Sequence, residues 1–186
     1  MKLYAKGKRG IIYRDDNICI KEKNPDAAVD TLMNEAKFLQ VLNEKNIGPK
    51  FIKFENGKLF RDFVEGERIE EFLQSADKEN IIKVLKNVLE QCRAMDERGV
   101  EKKEMTKPYK DILITKDNKP VLIDFERCRF TEHPGNVTQF LQYIAMNKEV
   151  LEKKGICVDK KELIKLGKEY KENPCKESFE RILKII

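Results

Sequence analysis

Histidine is almost absent from this sequence, and its scarcity limits the chemistry open to the protein. His133 is the only one among 186 residues. A zinc site or a Ser-His-Asp triad would have to depend on this one imidazole. Its position before Pro134-Gly135 indicates a turn instead. The sequence therefore offers little for histidine-based metal binding or nucleophilic catalysis.

Cysteine is present, but not in the close pairs that metal and redox sites use. The five cysteines stand apart, at positions 19, 92, 128, 157 and 175. Their number is odd and no Cys-x-x-Cys spacing occurs, which disfavours a zinc ribbon or a dithiol centre. We therefore expect reduced, mostly buried thiols in a cytoplasmic protein.

Long apolar runs are missing as well. No segment of the sequence approaches the roughly 18 consecutive apolar residues of a membrane span. The first six residues, Met1-Lys2-Leu3-Tyr4-Ala5-Lys6, lack the apolar centre of a signal peptide. The sequence thus predicts no membrane partner.

Charge is abundant, but neither sign dominates. The chain has 38 basic and 33 acidic residues and a net charge of +5, with both signs interspersed. This balance permits an anionic ligand but does not require nucleic acid. Basic clusters such as Lys6-Lys8-Arg9 are short and lack an aromatic-rich recognition motif. A nucleic-acid partner is therefore the least favoured alternative.

The order of predicted elements indicates an α+β fold in two parts. Within residues 1–65, apolar alternation and turn signals predict a small antiparallel sheet of five strands and one helix. Asn56-Gly57 is the strongest turn signal, because this dipeptide favours tight hairpins. The helix is predicted to open at Asn24-Pro25-Asp26. Its apolar positions are Val29, Leu32, Met33, Ala36, Leu39 and Leu42.

The remainder, residues 66–186, is predicted to be mainly helical. A long helix over residues 78–98 carries a clean apolar stripe and ends at Gly99. A β-hairpin follows over residues 112–114 and 121–123. Asn136 is predicted to cap the next helix, and Asn173-Pro174 to open the last one. The boundary between the parts is expected near Glu65-Gly66-Glu67.

Two glycines near the N-terminus suggest a phosphate-binding loop. Gly7 and Gly10 lie three residues apart at a predicted strand-turn-strand, where the absence of side chains lets the backbone approach a phosphate closely. Lys8 and Arg9 add positive charge at the tip. An ordinary glycine-containing hairpin is the alternative.

A lysine and a glutamate are candidates for a buried ion pair. Lys21 shares a strand face with Cys19, and a lysine that faces inward needs an anionic partner. Glu35, at the margin of the first helix's apolar stripe, could supply the carboxylate. Lys23 shares the same strand face and competes with Lys21. For Glu35, a solvated helix face is the alternative.

Two aspartates flank the predicted hairpin of the second part. Asp124 follows the apolar run Pro120-Val121-Leu122-Ile123, and Asp111 precedes the other strand. Carboxylate oxygens are the ligands that Mg²⁺ prefers. The pair could bind one or two Mg²⁺ ions that bridge nucleotide phosphates.

In this order, the motifs resemble the protein kinase-like superfamily over roughly residues 4–145. Ala5-x-Gly7-x-x-Gly10-x-Ile12 is similar to the glycine-rich loop, and Ile18-Cys19-Ile20-Lys21 to the strand that carries the family's lysine. Asp124-Phe125-Glu126 is similar to the metal-binding motif, with Glu in place of Gly. The chain looks most like the small predicted serine/threonine kinases of archaea, which are akin to the RIO and aminoglycoside-type branches.

The resemblance implies a bilobal kinase-like domain, with an N-lobe over residues 1–65 and a C-lobe over residues 66–186. It implies ATP and Mg²⁺ as cofactors. Phe63-Val64-Glu65-Gly66 would be the hinge, where adenine meets backbone groups near Asp62 and Val64. The further nucleotide-binding positions it implies are Gly7, Gly10, Ile12, Lys21, Glu35 and Asp124, with Asp111 and Asp124 as metal ligands.

The catalytic loop departs from the family pattern. The family's histidine is missing, and Glu104 stands where the base is expected if two extra residues precede Asp111. At the usual spacing the position holds Thr106. Asp111 replaces the metal-binding Asn. The expected activity is transfer of the γ-phosphoryl group of Mg-ATP to a protein Ser or Thr hydroxyl. A small-molecule alcohol as acceptor, and a nucleotide-binding module without catalysis, are the alternatives.

Overall fold

Five antiparallel strands and one helix form the first part of the protein. A computed structural model describes all 186 residues, Met1–Ile186. The strands lie in the order β1-β2-β3-β5-β4, and helix α1 packs against β3, β4 and β5. Their bounds are β1 (Lys2–Lys6), β2 (Gly10–Asp15), β3 (Ile18–Lys23), α1 (Leu32–Asn43), β4 (Phe51–Glu55) and β5 (Lys58–Asp62).

The sheet register determines which side chains share a face. Lys21 lies opposite Ile12 on one side and Leu59 on the other, and Cys19 lies opposite Arg61. Residues that are paired across strands point to the same face, as do residues two apart along a strand. These five residues therefore lie on one face of the sheet.

The predicted tight turn between β4 and β5 is confirmed. Asn56 and Gly57 both have positive φ, 51° and 72°. This is the backbone conformation that two-residue hairpins require and that Asn-Gly adopts readily.

The predicted start of the first helix is wrong. α1 begins at Leu32, and Asn24 instead donates from its side chain to the Gly7 carbonyl, 2.8 Å away. The chain thus stays beside the glycine loop for several residues before it turns helical. Val29 and Met33, predicted as core positions, are 64% and 71% exposed. The other predicted positions, Leu32, Ala36, Leu39 and Leu42, are buried, and Glu35 is buried beside them.

The second part is mainly helical, as predicted. A segment without regular structure, residues 63–66, leads into it. Its elements are β6 (Glu67–Arg68), α2 (Ile69–Ser75), α3 (Lys78–Glu97), β7 (Val100–Glu101), β8 (Ile112–Ile114), β9 (Pro120–Leu122), β10 (Arg129–Phe130), α4 (Asn136–Met146), α5 (Lys148–Lys153), α6 (Lys160–Glu172) and α7 (Lys176–Lys184). Strands β6, β8 and β9 form one small sheet, and β7 pairs with β10.

Most of the predicted helix and hairpin boundaries agree with the structure. Gly99, with φ of 66°, follows α3 as predicted, and the β8–β9 hairpin is present. The last helix begins later than predicted, because the Cys175 sulfur, rather than Asn173-Pro174, caps it.

A single apolar cluster connects the two parts. It contains 36 buried residues, among them Leu39 of α1 and Phe125, which follows β9. The connecting segment, residues 63–66, packs closely against β8. A Cβ on Gly66 would lie 2.5 Å from the Ile114 carbonyl oxygen. None of the helices combines the length and apolar character that crossing a bilayer demands.

Candidate functional site

A cleft of about 600 Å³ lies between the sheet face that carries Ile12, Lys21 and Arg61 and the residues that flank the β8–β9 hairpin. Its lining combines glycines of the β1–β2 loop with charged side chains from both parts of the chain. The lining residues used below are Gly7, Arg9, Gly10, Ile12, Lys21, Glu35, Arg61, Glu104, Asp111, Asp124, Glu126 and Arg127.

Lys21 is the buried lysine of β3, and Glu35 is its partner. The Lys21 Nζ lies 2.6 Å from the Glu35 Oε2, and both side chains are buried. Lys23, the competing candidate, is only half-buried. Burial alone would lower the pKa of Lys21, but the negative charges of Glu35 and Asp124 outweigh it and raise the pKa. Lys21 is therefore a cation in the free protein.

The same ammonium group reaches the second part of the chain. The Lys21 Nζ lies 3.1 Å from the Asp124 Oδ1, although 103 positions separate the two residues. It also lies 3.7 Å from the Glu126 Oε2. One cation from the sheet thus joins three carboxylates at the floor of the cleft.

Glycine at position 10 makes room for this lysine. A Cβ on Gly10 would lie 3.0 Å from the Lys21 Cε. The Gly7 amide donates to the Gly10 carbonyl at 2.8 Å and closes the turn. Gly7, Gly10 and Ile12 all line the cleft.

Asp124 holds an unusual backbone conformation. Its φ is 62°, a left-handed value that non-glycine residues rarely adopt. Its carbonyl oxygen accepts a hydrogen bond from the Lys102 Nζ at 2.6 Å. Residues in this conformation are frequent at functional sites. Here the Asp124 Oδ1 lies 3.1 Å from the Lys21 Nζ, within the cleft.

Lys102 is a site residue that the sequence did not reveal. It is fully buried, and its Nζ lies 3.3 Å from the Asp111 Oδ2 as well as beside the Asp124 carbonyl. It therefore connects both predicted metal-binding aspartates. In the sequence it is the first residue of Lys102-Lys103-Glu104, a run that is indistinguishable from a solvated basic segment.

The two aspartates have opposite pKa shifts. Burial raises the pKa of Asp111, and the nearby Lys102 ammonium only partly opposes this. For Asp124, burial is outweighed by the ammonium groups of Lys21 and Lys102, which hold its pKa below the ordinary value. The pKa of Asp111 is therefore higher than that of Asp124.

Asn136 was predicted to cap α4 with its side chain, and this prediction is wrong. Asn136 is the first residue of α4, and its side chain makes no capping hydrogen bond. Its Oδ1 accepts from the Lys102 amide at 2.8 Å, and its Nδ2 donates to the Asp96 carboxylate at 2.6 Å. Burial raises the pKa of Asp96 to about 6, against hydrogen bonds from Asn136 and Val137 that lower it. A buried polar network thus supports the segment that carries Lys102.

Glu104 lines the cleft, but it is paired. Its Oε1 lies 2.8 Å from the Arg127 Nη1. Glu126 is held in a similar way by Arg9 of the glycine loop at 2.6 Å and by the Thr31 hydroxyl at 3.0 Å. Glu126 thus binds Arg9 at the tip of the glycine loop, and the next residue, Arg127, binds the predicted base, Glu104. These contacts of Glu126 were not predicted, because in the sequence it only replaces the glycine of the metal-binding motif.

Asp62 and Val64 stand outside the lining of the cleft. Asp62 ends β5, and Val64 belongs to the connecting segment. The prediction for them concerned backbone groups that meet a base, and it stays a prediction.

The carboxylates of the cleft could hold a metal ion. One oxygen each of Glu35, Asp124 and Glu126 lies within 4.8 Å of the others. Lys21 contacts all three carboxylates and Arg9 also pairs with Glu126, which still leaves an excess of negative charge, whereas Asp111 faces Lys102. Such hard oxygen donors suit Mg²⁺.

No protein-family model matches the chain, and no curated protein matches it. Its function is therefore inferred from the geometry of the site.

Proposed function

We propose that the protein is an ATP- and Mg²⁺-dependent phosphotransferase with a bilobal kinase-like fold, its lobes being residues 1–65 and 66–186. The proposal is supported most by the contact of one ammonium group, that of Lys21, with both Glu35 and Asp124. Kinase activity requires a strand lysine paired with a helix glutamate and a metal-binding aspartate at the same cleft. A protein Ser or Thr hydroxyl is the proposed acceptor.

The sheet part would bind the phosphates. Lys21 would contact the α- and β-phosphates, oriented by Glu35. The backbone of Gly7 and Gly10 would lie close to the phosphate chain, because no side chains stand in the way. Transfer of a phosphoryl group needs positioning and neutralisation of charge more than covalent chemistry. The five-stranded sheet provides both on a rigid support.

The hairpin part would supply the metal ligands. Asp124, whose lowered pKa keeps it ionised, and Asp111 offer carboxylate oxygens in the cleft. These two residues would hold Mg²⁺, which would supply positive charge to offset that of the phosphates. Lys102 would hold the backbone of Asp124 in place and limit the repulsion between the two carboxylates.

Glu104 would orient the acceptor hydroxyl and take its proton. In the free protein its carboxylate is bound to Arg127. The Arg127 side chain is half exposed, so an entering acceptor can displace it at small cost. Arg127 would then be free to contact the transferring phosphoryl group.

Transfer of labelled γ-phosphate, including autophosphorylation, tests this proposal. Asp124→Ala should abolish transfer, since it removes a metal ligand. Asp117→Ala, which removes an exposed carboxylate in the β8–β9 turn, should leave transfer unchanged. Equal transfer by the wild type and Asp124→Ala would refute the proposed site.

A nucleotide-binding module without catalysis is the second candidate. The pairing of Glu104 with Arg127 favours it, because a carboxylate engaged by a guanidinium is not free to meet an acceptor hydroxyl. Binding without turnover would stabilise the fold by linkage. A rise in melting temperature with Mg-ATP, together with no transfer and no hydrolysis, would select this candidate.

A further inference from the structure

Arg61 is a buried cation in the cleft that the proposed chemistry does not use. Its residue exposure is 6%, and it lies on β5, directly opposite Cys19. It takes part in none of the ion pairs of the structure, and its Nε has no hydrogen-bond partner. No carboxylate pairs with it directly, although its positive charge helps to lower the pKa of Asp124. A ligand that accepts a hydrogen bond from the unpartnered Nε would therefore be favoured.

The sheet register separates Arg61 from the phosphate-binding end. Its partner Cys19 lies two residues before Lys21 on β3, which is a spacing of roughly 7 Å along the strand. Arg61 is displaced toward the connecting segment, residues 63–66, and away from the glycine loop. A nucleotide whose phosphates reach Lys21 would therefore present its base, rather than its phosphates, to Arg61.

The polar groups around Arg61 determine which base edge fits. A guanidinium group carries only donors. One of them, Nη1, donates to the Asp62 carbonyl oxygen at 3.1 Å. The exocyclic amine of adenine also carries only donors, so at this position it would oppose the remaining donors of the guanidinium. An exocyclic oxygen at the same position of the purine would accept from the guanidinium.

We infer that the cleft selects a 6-oxopurine nucleoside triphosphate, such as GTP or ITP, over ATP, with Arg61 as the residue that determines this specificity. The inference rests on the proposed function and replaces the adenine nucleotide that the sequence resemblance implies. Arginine pairs with the O6 and N7 acceptors of guanine through two hydrogen bonds, and such a pair discriminates between bases by about 5- to 150-fold.

Competition binding with Mg²⁺ and four nucleotides tests the inference. GTP and ITP should bind more tightly than ATP and 2,6-diaminopurine riboside triphosphate, by about 5- to 150-fold. ITP lacks the 2-amino group and the diaminopurine nucleotide keeps it, so this set isolates the substituent at position 6. Equal or tighter binding of ATP, with the dependence on Mg²⁺ intact, would overturn the inference and leave the proposed phosphotransferase standing.

Arg61→Met provides the second measurement. It removes the donors, so the affinity for GTP should fall to that for ATP, while ATP should bind as well as before. Arg98→Met is the matched control, because Arg98 also has an unpartnered buried Nε but pairs with Glu44 outside the cleft. It should keep the preference.

Inorganic triphosphate separates base recognition from phosphate binding. Arg61→Met should leave its binding unchanged. An equal loss of GTP, ATP and triphosphate affinity would mean that Arg61 binds phosphate, which contradicts the inference. If neither nucleotides nor triphosphate bind to the wild type, both the inference and the proposed function fail. If Arg61→Met does not fold, the nucleotide preference of the wild type alone tests the inference.

Discussion

Lys21 and Glu35 form the ion pair on which the site depends. Glu35 is 1% exposed and has only the Lys21 ammonium to compensate its burial. Removing one member of a buried pair leaves the other charge uncompensated. The pair therefore links the stability of the sheet to the geometry of the cleft.

Lys21→Met should accordingly lower the free energy of unfolding by about 3–5 kcal/mol, because Glu35 loses its only compensating charge. The double variant Lys21→Met/Glu35→Leu should recover much of this loss, because apolar side chains of similar volume often replace a buried pair at little cost. Urea unfolding of the three proteins measures both effects. A loss below about 1 kcal/mol for Lys21→Met, as is typical of an exposed pair, would contradict the burial of Glu35.

Lys102 should control the ionisation of Asp111. Its ammonium opposes the rise in pKa that burial imposes on this carboxyl. Lys102→Met should therefore raise the pKa of Asp111 further, and Lys102→Arg should leave it close to the wild-type value. Carboxyl ¹³C chemical shifts followed through a pH titration report this directly. No change in Lys102→Met would exclude the contact.

The side chains of the site differ in how far the sequence predicts them. Lys21 follows from strand alternation, since Cys19 and Lys21 share a face and Cys19 is apolar. Glu35 follows as a partner, although its full burial does not, because that depends on how α1 packs against the sheet and the second part. The contact of Lys102 with the Asp124 carbonyl and the position of Arg61 opposite Cys19 depend on segments that meet only in the fold, and no local pattern encodes them.

The connection between the two parts requires glycine at position 66. A Cβ there would lie 2.5 Å from the backbone oxygen of Ile114, a contact that only a shift of β8 could relieve. Gly66→Ala should therefore destabilise the protein by about 2 kcal/mol, within the range typical of overpacking. Thermal or urea unfolding measures the change.

Gly57→Ala serves as the comparison for Gly66→Ala. Gly57 also resists substitution, but only through its φ of 72°, because a Cβ would meet nothing within 4 Å. It should cost about 1 kcal/mol. If Gly66→Ala proves the milder of the two, the close approach of residue 66 to β8 is wrong.

The ends of α3, α4 and α6 meet at Asp96. Its carboxylate accepts from the Asn136 and Val137 amides, and the Tyr170 hydroxyl lies 3.4 Å away. The pKa of Asp96 is raised from 3.8 to about 6 by burial. In such a case the folded state holds its proton to higher pH than the unfolded state does.

Asp96 should therefore stabilise the protein most below about pH 4 and lose this contribution as the pH rises to about 6. The unfolding free energy of the wild type minus that of Asp96→Asn should decrease over that window by at most about 3 kcal/mol and then stay constant. Urea unfolding at several pH values measures it. A difference that grows over the window would mean that the hydrogen bonds lower the pKa of Asp96 more than burial raises it.

The regular elements were more predictable than their ends. The Asn56-Gly57 turn and the α3 stripe up to Gly99 follow from local residue preferences, and both are confirmed. The predicted start of α1 at Asn24 is wrong: the Asn24 Oδ1 accepts from the Asp26 amide, but this bond closes a turn and no helix follows. Its amide groups meanwhile donate to the Gly7 and Arg9 carbonyls of the glycine loop. The predicted capping by Asn136 is also wrong, because its side-chain amide bonds instead to the backbone of Val100 and Lys102.

The whole molecule brings its functional residues together through one apolar core. Leu39 of α1 and Phe125 belong to the same cluster, so the helix that carries Glu35 and the segment that carries Asp124 are packed as a unit. Across this core, Arg9 of the glycine loop binds Glu126. Both contacts favour a closed cleft in which the phosphate-binding and metal-binding groups face each other.

The account depends most on Lys21 and Asp124 binding the same Mg-triphosphate, and calorimetric titration tests this directly. GTP and ATP would be titrated into the wild type, Lys21→Met and Asp124→Ala, with and without Mg²⁺. Lys21→Met should weaken binding under both conditions. Asp124→Ala should remove only the gain that Mg²⁺ provides. If Asp124→Ala keeps the full Mg²⁺ dependence, or Lys21→Met binds as tightly as the wild type, the nucleotide does not bind between these two residues.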